Sequence, residues 1–183
     1  LVKYFTGKGD NGYTGMLGEG RMAKYDLRAE TLGAVDETNS ALGMARAWSK
    51  DPHKIEIILK IQRELYQLMG EVAATPENAE RFRAISEQNV AWLESLVEEF
   101  GSQVELPKEF IVPGDAPASA AMDLARTATR RAERRMVEFQ HKVQNTNPCL
   151  LSYLNRLSSL LFIMELHEVR LAGKETPTLA VKK

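Results

Sequence analysis

The chain has 183 residues, 44% hydrophobic and 27% charged, with 24 basic and 25 acidic side chains and a net charge of −1. That length suits one domain whose core needs no covalent staples. The near-neutral balance exerts no global pull on a polyanion, so any anion site has to come from local clustering, and no nucleic-acid partner is expected. The single cysteine, Cys149, excludes an internal disulfide and an all-cysteine zinc site, and fits a reducing, cytoplasmic compartment. The longest apolar run, Leu160 to Met164, is too short to cross a bilayer. The polar opening residues argue against a signal peptide, and a start at Leu1 is compatible with a trimmed upstream transit segment.

Residues 1–25 hold six of the 12 glycines, at Gly7, Gly9, Gly12, Gly15, Gly18 and Gly20, a density that predicts irregular turns and no helix. From residue 26 to 172 apolar residues recur at intervals of three and four, the helical period. A first helix is predicted from Asp26 to Ser49, with Leu32, Val35 and Leu42 on its apolar side. Asp51-Pro52 reads as N-cap and first residue of a second helix reaching about Ala74, with Ile55, Ile58, Leu59, Leu65, Met69 and Val72 inward. Thr75-Pro76 ends it, because the residue before proline disfavours the α region. The third runs from Ile85 to Phe100 on a stripe of Leu93, Leu96, Val97 and Phe100, and a loop with Pro107, Pro113 and Gly114 follows. The fourth spans Pro117 to Lys142, and Asn147-Pro148 opens a fifth that continues to Leu171. Residues 173–183 read as a frayed or extended tail. The expectation is an all-α, five-helix bundle with an irregular glycine-rich N-terminal segment, forming a single domain over 1–183.

Polar residues stand out in four places, three of them on these helical faces. The fourth helix carries Arg126, Arg130, Arg131, Arg134 and Arg135 against Glu133, a local charge of +4. Arg126, Arg130 and Arg134 repeat every four residues along one side. Planar guanidinium groups match phosphate oxygens in charge and fork geometry, although a solvated, salt-bridged face is the alternative. RNA binding by this helix is disfavoured by the lack of interleaved aromatics and of overall basicity. In the first helix Asp36, Asn39, Ser40 and Gly43 share a stripe beside apolar neighbours, and an arginine of the fourth helix is the obvious partner for a buried Asp36. Asn155 and Ser159 interrupt the apolar fifth helix.

The fourth place is TGKGDNGYTG (6–15), whose glycine turns can form an anion nest with Lys8 and Lys24 nearby and hydroxyls from Thr6 and Thr14. It is not a Walker A loop. Asp10 either reaches a phosphate-bound Mg²⁺ through water or fixes the turn. A disordered arm is the competing reading. His53, His141 and His167 lack metal spacing and are taken as surface residues, and no protein metal site is expected.

Taken in order, TGKGDNGYTG (6–15), GRMAKYD (20–26), VDETNSALG (35–43), FIVPG (110–114), ARTATRRAERR (125–135) and YLNRLSSLLF (153–162) resemble the PduO-type ATP:cob(I)alamin adenosyltransferases over nearly the whole chain. The resemblance implies a transfer of the 5′-deoxyadenosyl group of ATP to corrinoid cobalt, with Mg²⁺ and cobalamin as companions to ATP. It also implies a homotrimer whose active sites lie between subunits, the N-terminal segment of one covering helices of its neighbour. Thr6, Gly7, Lys8 and Gly9 with Thr14 then match the phosphate cradle, and Lys24 a further ATP contact. Arg130, Arg131, Glu133 and Arg134 match the fourth-helix nucleotide contacts, and Asn155 that of the fifth. Asp36 and Arg126 match a salt-bridged pair near the corrinoid, and Phe110 the aromatic residue closing the lower corrin face. The chain departs from the family pattern at Thr38, Asp115 and Ser159, the last two bearing on the corrinoid pocket. A reductase and a cobalamin-dependent mutase or dehydratase are the partners such an enzyme implies. A non-catalytic, ATP-responsive corrinoid-binding or delivery protein would keep the same residues without releasing triphosphate.

Overall fold

A computed structural model describes residues 4–143 and 146–181. Strands β1 (Tyr13–Gly15) and β2 (Arg21–Ala23) pair antiparallel with Thr14 opposite Met22. Helices α1 (Leu27–Trp48), α2 (Pro52–Ala73), α3 (Ala79–Phe82), α4 (Glu87–Gly101), α5 (Pro117–Lys142) and α6 (Cys149–Leu171) follow, with a single 3₁₀ turn at Pro76–Asn78 leading into α3. The described residues thus hold six helices where five are predicted, because the four-residue α3 is too short to show a period. The N-terminal segment, expected to be irregular, contains the small hairpin; three-residue strands are likewise too short for alternation to be visible.

The helix starts follow from local chemistry. Asp26 Oδ1 accepts from the Arg28 amide at 2.8 Å, and Asp51 Oδ1 accepts from the His53 amide at 2.9 Å with Pro52 in the first turn. Asn147 Oδ1 accepts from the Cys149 amide at 3.0 Å, so the Asn-Pro pair does open α6. Asn147 also donates to Glu71 at 2.9 Å and to the Ile85 carbonyl at 2.7 Å, tying α6 to α2 and to the approach to α4.

In the bundle α1 packs on α2 and α5, and α6 packs on α5 and α4. The inward face of α5 is a row of methyl groups, Ala118, Ala121, Ala125, Ala128 and Ala132, which lets its neighbours approach closely. Leu42, Ile58, Leu65, Leu154 and Leu157 fill the space between, all fully buried in one core shared by five helices. Truncating one of these leucines to alanine costs about 2–5 kcal/mol. As a whole α6 is long and apolar enough to cross a membrane, with a mean hydropathy of 1.3 over an 18-residue window, although its longest uninterrupted apolar run is short. Its apolar faces are spent against α5 and α4, with Tyr153, Leu157, Leu161 and Met164 fully buried.

Two polar clusters lie inside this core. The Lys54 ammonium is fully buried, pairs with Glu168, and sits 3.0 Å from His167 Nδ1, while Ser49 donates to Glu168 at 3.1 Å. His167, expected at the surface, is half-buried: its ring meets Phe100 edge-on at 5.5 Å, and partial burial with the nearby Lys54 charge lowers its pKa. Separately, Tyr153 donates to Glu64 at 2.7 Å, and burial beside that carboxylate pushes the phenol well above its ordinary range.

The hairpin is fastened at one point. The Leu17 amide donates to the Ala73 carbonyl at 2.9 Å, and the Thr75 amide donates to the Leu17 carbonyl at 3.2 Å. Gly18 follows with φ +145°, and a β-carbon there would collide with the Thr75 side chain. Of the two readings of the tail, frayed or extended, the described part is extended where Leu179 bridges antiparallel to Ile111.

Candidate functional site

The glycine loop is ordered by its own backbone. The Asp10 amide donates to the Gly7 carbonyl at 3.2 Å and the Gly12 amide to the Gly9 carbonyl at 3.1 Å, two successive turns flanked by Gly7 at φ +70° and Gly12 at φ +82°, conformations that favour glycine. Thr6 Oγ1 accepts from the Lys8 amide at 3.3 Å. The Lys24 amide donates to the Gly12 carbonyl at 2.8 Å, and its ammonium lies over Gly9, 3.1 Å from where a β-carbon would stand. Lys24 is thus brought onto the loop, as its place in the sequence leads one to expect. Thr14 lies on β1, and the Asp10 carboxylate stands near Gly7.

Arg21 escaped the sequence reading. Its guanidinium donates to the Tyr13 carbonyl at 2.9 Å, to Asn11 Oδ1 at 3.1 Å and to the Lys8 carbonyl, closing the loop from within. A lone arginine in a glycine-rich stretch carries no periodic signal, and only the β1–β2 pairing reveals its partners.

On α5 the arginines divide by partner. Arg131 pairs with Glu37 of α1, and Arg135 with Glu138 at 3.2 Å. Arg130 and Arg134 have no acidic partner among the described residues; Arg134 donates only to the Arg130 carbonyl, at 3.0 Å. A salt-bridged solvated face therefore describes Arg131 and Arg135 and leaves Arg130 and Arg134 uncompensated. Beside them Glu133 accepts from Asn155 Nδ2 of α6 at 2.8 Å. The N-terminal loop and this α5–α6 group are joined by no hydrogen bond or ion pair among the described residues of one chain.

The expected Asp36–Arg126 pair does not form within the chain. Arg126 gives Nε and a terminal nitrogen to Asp123 Oδ1 at 2.8 and 2.5 Å, a partner one turn back that is reached without tertiary constraint. Asp36 is exposed and has no ion-pair partner among the described residues. Its stripe also divides: Asn39 is buried, with its carbonyl accepting from Gln62 at 3.0 Å, while Asp36 and Ser40 face outward. Ser40 borders a groove of about 530 Å³ between α1 and α5, lined also by Met44, Leu124, Arg131 and Arg134.

Phe110 is 88% exposed in the loop before α5. With Ile111, Arg126 and Phe162 it borders an open recess of about 420 Å³. Phe162 was not singled out because an aromatic residue on an apolar helix reads as core. On α6 Glu165 is 1% exposed, and its Oε2 lacks a hydrogen-bond partner. Burial first, then the charges of Asp123 and Asp115, raise its carboxyl to about 7 against the opposing pull of Arg126. Asp115, in contrast, is held below its usual range. Desolvation opposes its charge, but hydrogen bonds from Lys174 and Thr178 outweigh it. Among the described residues no three His, Cys, Asp or Glu side chains are grouped to hold a metal ion.

Fold and site together define a class: helical bundles with a glycine-turn loop at one end of the chain and, on α5, two exposed arginines, Arg130 and Arg134, without acidic partners among the described residues. Sequence comparison narrows it. The chain belongs to the cobalamin adenosyltransferase family, whose profile matches residues 4–168. It is 37% identical over 165 residues to the corrinoid adenosyltransferase of Bacillus subtilis strain 168, covering 88% of this chain and 83% of that protein. It is 34% identical over 161 residues to the corrinoid adenosyltransferase PduO of Citrobacter freundii, covering 87% of this chain but 48% of that longer protein. Among solved structures it resembles a variant PduO-type ATP:corrinoid adenosyltransferase from Lactobacillus reuteri complexed with cobalamin and ATP. The TM-score is 0.88 at 31% identity, covering 98% of this chain and 100% of that one.

Proposed function

We propose that this chain transfers the 5′-deoxyadenosyl group of ATP to the cobalt of cob(I)alamin or a related corrinoid, releasing triphosphate. The observation that carries this reading beyond family membership is the uncompensated pair Arg130 and Arg134 beside the Glu133–Asn155 bond. Guanidinium groups left without carboxylate partners are prepared for a polyphosphate.

Co(I) supplies an electron pair to the 5′-carbon, and the C–O bond breaks with its pair leaving on triphosphate. The nucleophile comes with the substrate, so no protein base is required. The protein's work is placement of the 5′-carbon in line between cobalt and leaving oxygen, and stabilisation of the charge that gathers on triphosphate. Thr6, Gly7, Lys8, Gly9 and Thr14 with Lys24 take the phosphates from one side, and Arg130, Arg131, Arg134, Glu133 and Asn155 take the nucleotide from the other. One preorganised donor of this kind is worth about 3–4 kcal/mol. Asp10, on the loop beside Gly7, would hold a phosphate-bound Mg²⁺ through water, and that ion would supply further charge to offset the triphosphate. Phe110 covers the lower corrin face, keeping an axial ligand off cobalt so that Co(II) is easier to reduce.

The same reading puts the active site between subunits of a homotrimer. The separation of the N-terminal loop from the α5–α6 group within one chain supports this, as do exposed Met44 and Leu124 in the α1–α5 groove. Asp36 then meets Arg126 of a neighbouring copy, an encounter its exposure permits. The single domain 1–183 comprises an ATP-binding segment (1–25), the helical bundle (26–172) and a tail (173–183). A cytoplasmic location fits the free thiol of Cys149, and a reductase and a cobalamin-dependent mutase or dehydratase are its working partners. The test is one assay with ATP, Mg²⁺ and chemically reduced cobalamin, followed by absorbance. Adenosylcobalamin with one triphosphate per turnover is expected; ATP binding without triphosphate release would overturn the enzyme reading.

A further inference from the structure

The segment carrying Phe110 has little to hold it from the bundle side. The stretch between α4 and α5 is without helix, includes Pro107 and Pro113, and turns at Gly114 with φ +118°. The Phe110 ring, 88% exposed, gains almost no anchoring from packing. What fixes the backbone there is the C-terminal tail. The Ala180 amide donates to the Phe110 carbonyl at 2.8 Å, and the Val112 amide donates to the Thr178 carbonyl at 2.7 Å. Ile111 and Leu179 stand opposite each other between these two bonds.

The tail is itself fastened by one side chain. Asp115 Oδ2 accepts from the Thr178 amide at 2.7 Å. Asp115 Oδ1 accepts from the Thr178 hydroxyl at 2.7 Å and from the Lys174 ammonium at 2.5 Å. Lys174 closes the ring by donating to the Thr178 hydroxyl at 2.7 Å. Both oxygens of a carboxylate only 11% exposed are thereby committed to residues 174 and 178. Charge-assisted bonds of this kind are the strong ones, and their removal leaves a short two-stranded contact that is marginal by itself.

We infer that Asp115 is a positioning residue for the corrinoid: by clasping Lys174 and Thr178 it holds the tail along residues 110–112 and so sets where the Phe110 ring stands over the recess shared with Arg126 and Phe162. Asp115 touches no substrate in this scheme; it acts through the tail. The inference rests on the proposed corrinoid role of Phe110. It adds that residues 174–180 belong to the machinery of corrinoid capture and not to that of ATP. The arrangement also explains why an acidic residue suits position 115, where a glycine would leave Thr178 and Lys174 without their acceptor.

Two full-length variants attack the clasp from opposite sides. Asp115→Ala removes the acceptor, and Thr178→Pro removes both the amide and the hydroxyl that Asp115 holds. Amide exchange at Val112 and Ala180 is measured first, in protein without substrate. Binding of cob(II)alamin to the ATP-loaded protein is then titrated, with the fraction of four-coordinate cobalt read spectroscopically. Both variants are expected to speed exchange at these two amides at least tenfold, to weaken cob(II)alamin binding about tenfold and to lower the four-coordinate fraction, with ATP affinity within twofold of the parent. Asp115→Asn, which keeps one acceptor oxygen but puts a donor in place of the other and removes the charge, should fall between. Unchanged exchange in Asp115→Ala would overturn the clasp. Fast exchange with unchanged cob(II)alamin binding and four-coordinate fraction would overturn the positioning role. Absence of adenosyl product from the parent protein would instead count against the proposed function, since the exchange and binding measurements do not depend on turnover.

Discussion

Asn155 of α6 donates through Nδ2 to Glu133 of α5 at 2.8 Å, and its Oδ1 accepts from Arg156 at 2.7 Å. Both ends of the amide are thus committed, and the carboxylate beside Arg130 and Arg134 is held in one orientation. Asn155→Asp would place a second carboxylate against Glu133. Hydrogen bonds to charged groups contribute about 1.5–3 kcal/mol, so the KM for ATP should rise roughly tenfold or more. Steady-state kinetics with ATP varied at saturating corrinoid reads this, and an unchanged KM would remove Asn155 from the nucleotide site.

Arg130 is exposed and carries no acidic partner among the described residues, so its removal should hardly disturb folding. Arg130→Ala is expected to lower kcat/KM about 10²–10³-fold with the melting temperature unchanged. Arg130→Lys, which retains charge without the planar fork, should recover only part of the loss. Parent kinetics in the alanine variant would take the arginine row out of the mechanism.

Phe110→Ala separates two steps of the reaction. Turnover that begins from Co(II) should slow sharply and the four-coordinate signal should fall, whereas turnover from pre-reduced Co(I) should suffer less. Equal rates from Co(II) in variant and parent would leave the ring without its assigned role.

The buried Lys54–Glu168 pair makes the opposite kind of prediction, one of stability without chemistry. Lys54→Met should cost about 3–5 kcal/mol by stranding Glu168 in the core, while the double variant with Glu168→Leu should regain much of it. Urea denaturation measures both. A single variant as stable as the parent would show that the pair is solvated in a way its burial does not suggest.

Glu165 gives stability a pH dependence of defined sign. Its carboxyl is raised to about 7, chiefly by burial and then by Asp123, so the folded state holds a proton that the unfolded chain releases near 4.5. Its favourable contribution is complete below the unfolded value and is lost as pH rises through about 7. Asp123 and Arg126 of α5 and Asp115 of the preceding loop are the charged groups that set this. Glu165→Gln should therefore gain on the parent between pH 5 and pH 8, by roughly 2 kcal/mol at the upper end. Parallel melting curves across that range would refute it.

The long helices and their caps were legible because periodicity and capping are local. Asp51 and Asn147 each accept the amide bond expected of them, and Asp26, read only as the start of the first helix, caps it. The Glu133–Asn155 contact and the approach of Lys24 to Gly9 also match positions flagged in the sequence. Partner choice was not legible. Asp123 takes Arg126, Glu37 takes Arg131 and Lys54 draws His167 inward, and each depends on which of several charges three-dimensional proximity favours. Nor could spacing disclose α3, the hairpin or the Asp115 clasp. These are short or join segments far apart in the chain, where neither the helical period nor alternation has room to register.

The fastening of Leu17 between Ala73 and Thr75 has a consequence for how nucleotide enters. Because the hairpin stem is tethered to the end of α2 and Arg21 ties Lys8, Asn11 and Tyr13 together, the loop has little freedom left to surrender in taking triphosphate as proposed. Loosening that tether, as Gly18→Ala should through its clash with Thr75, would turn a prepared clamp into a wandering arm and shift the loss of disorder from folding to binding.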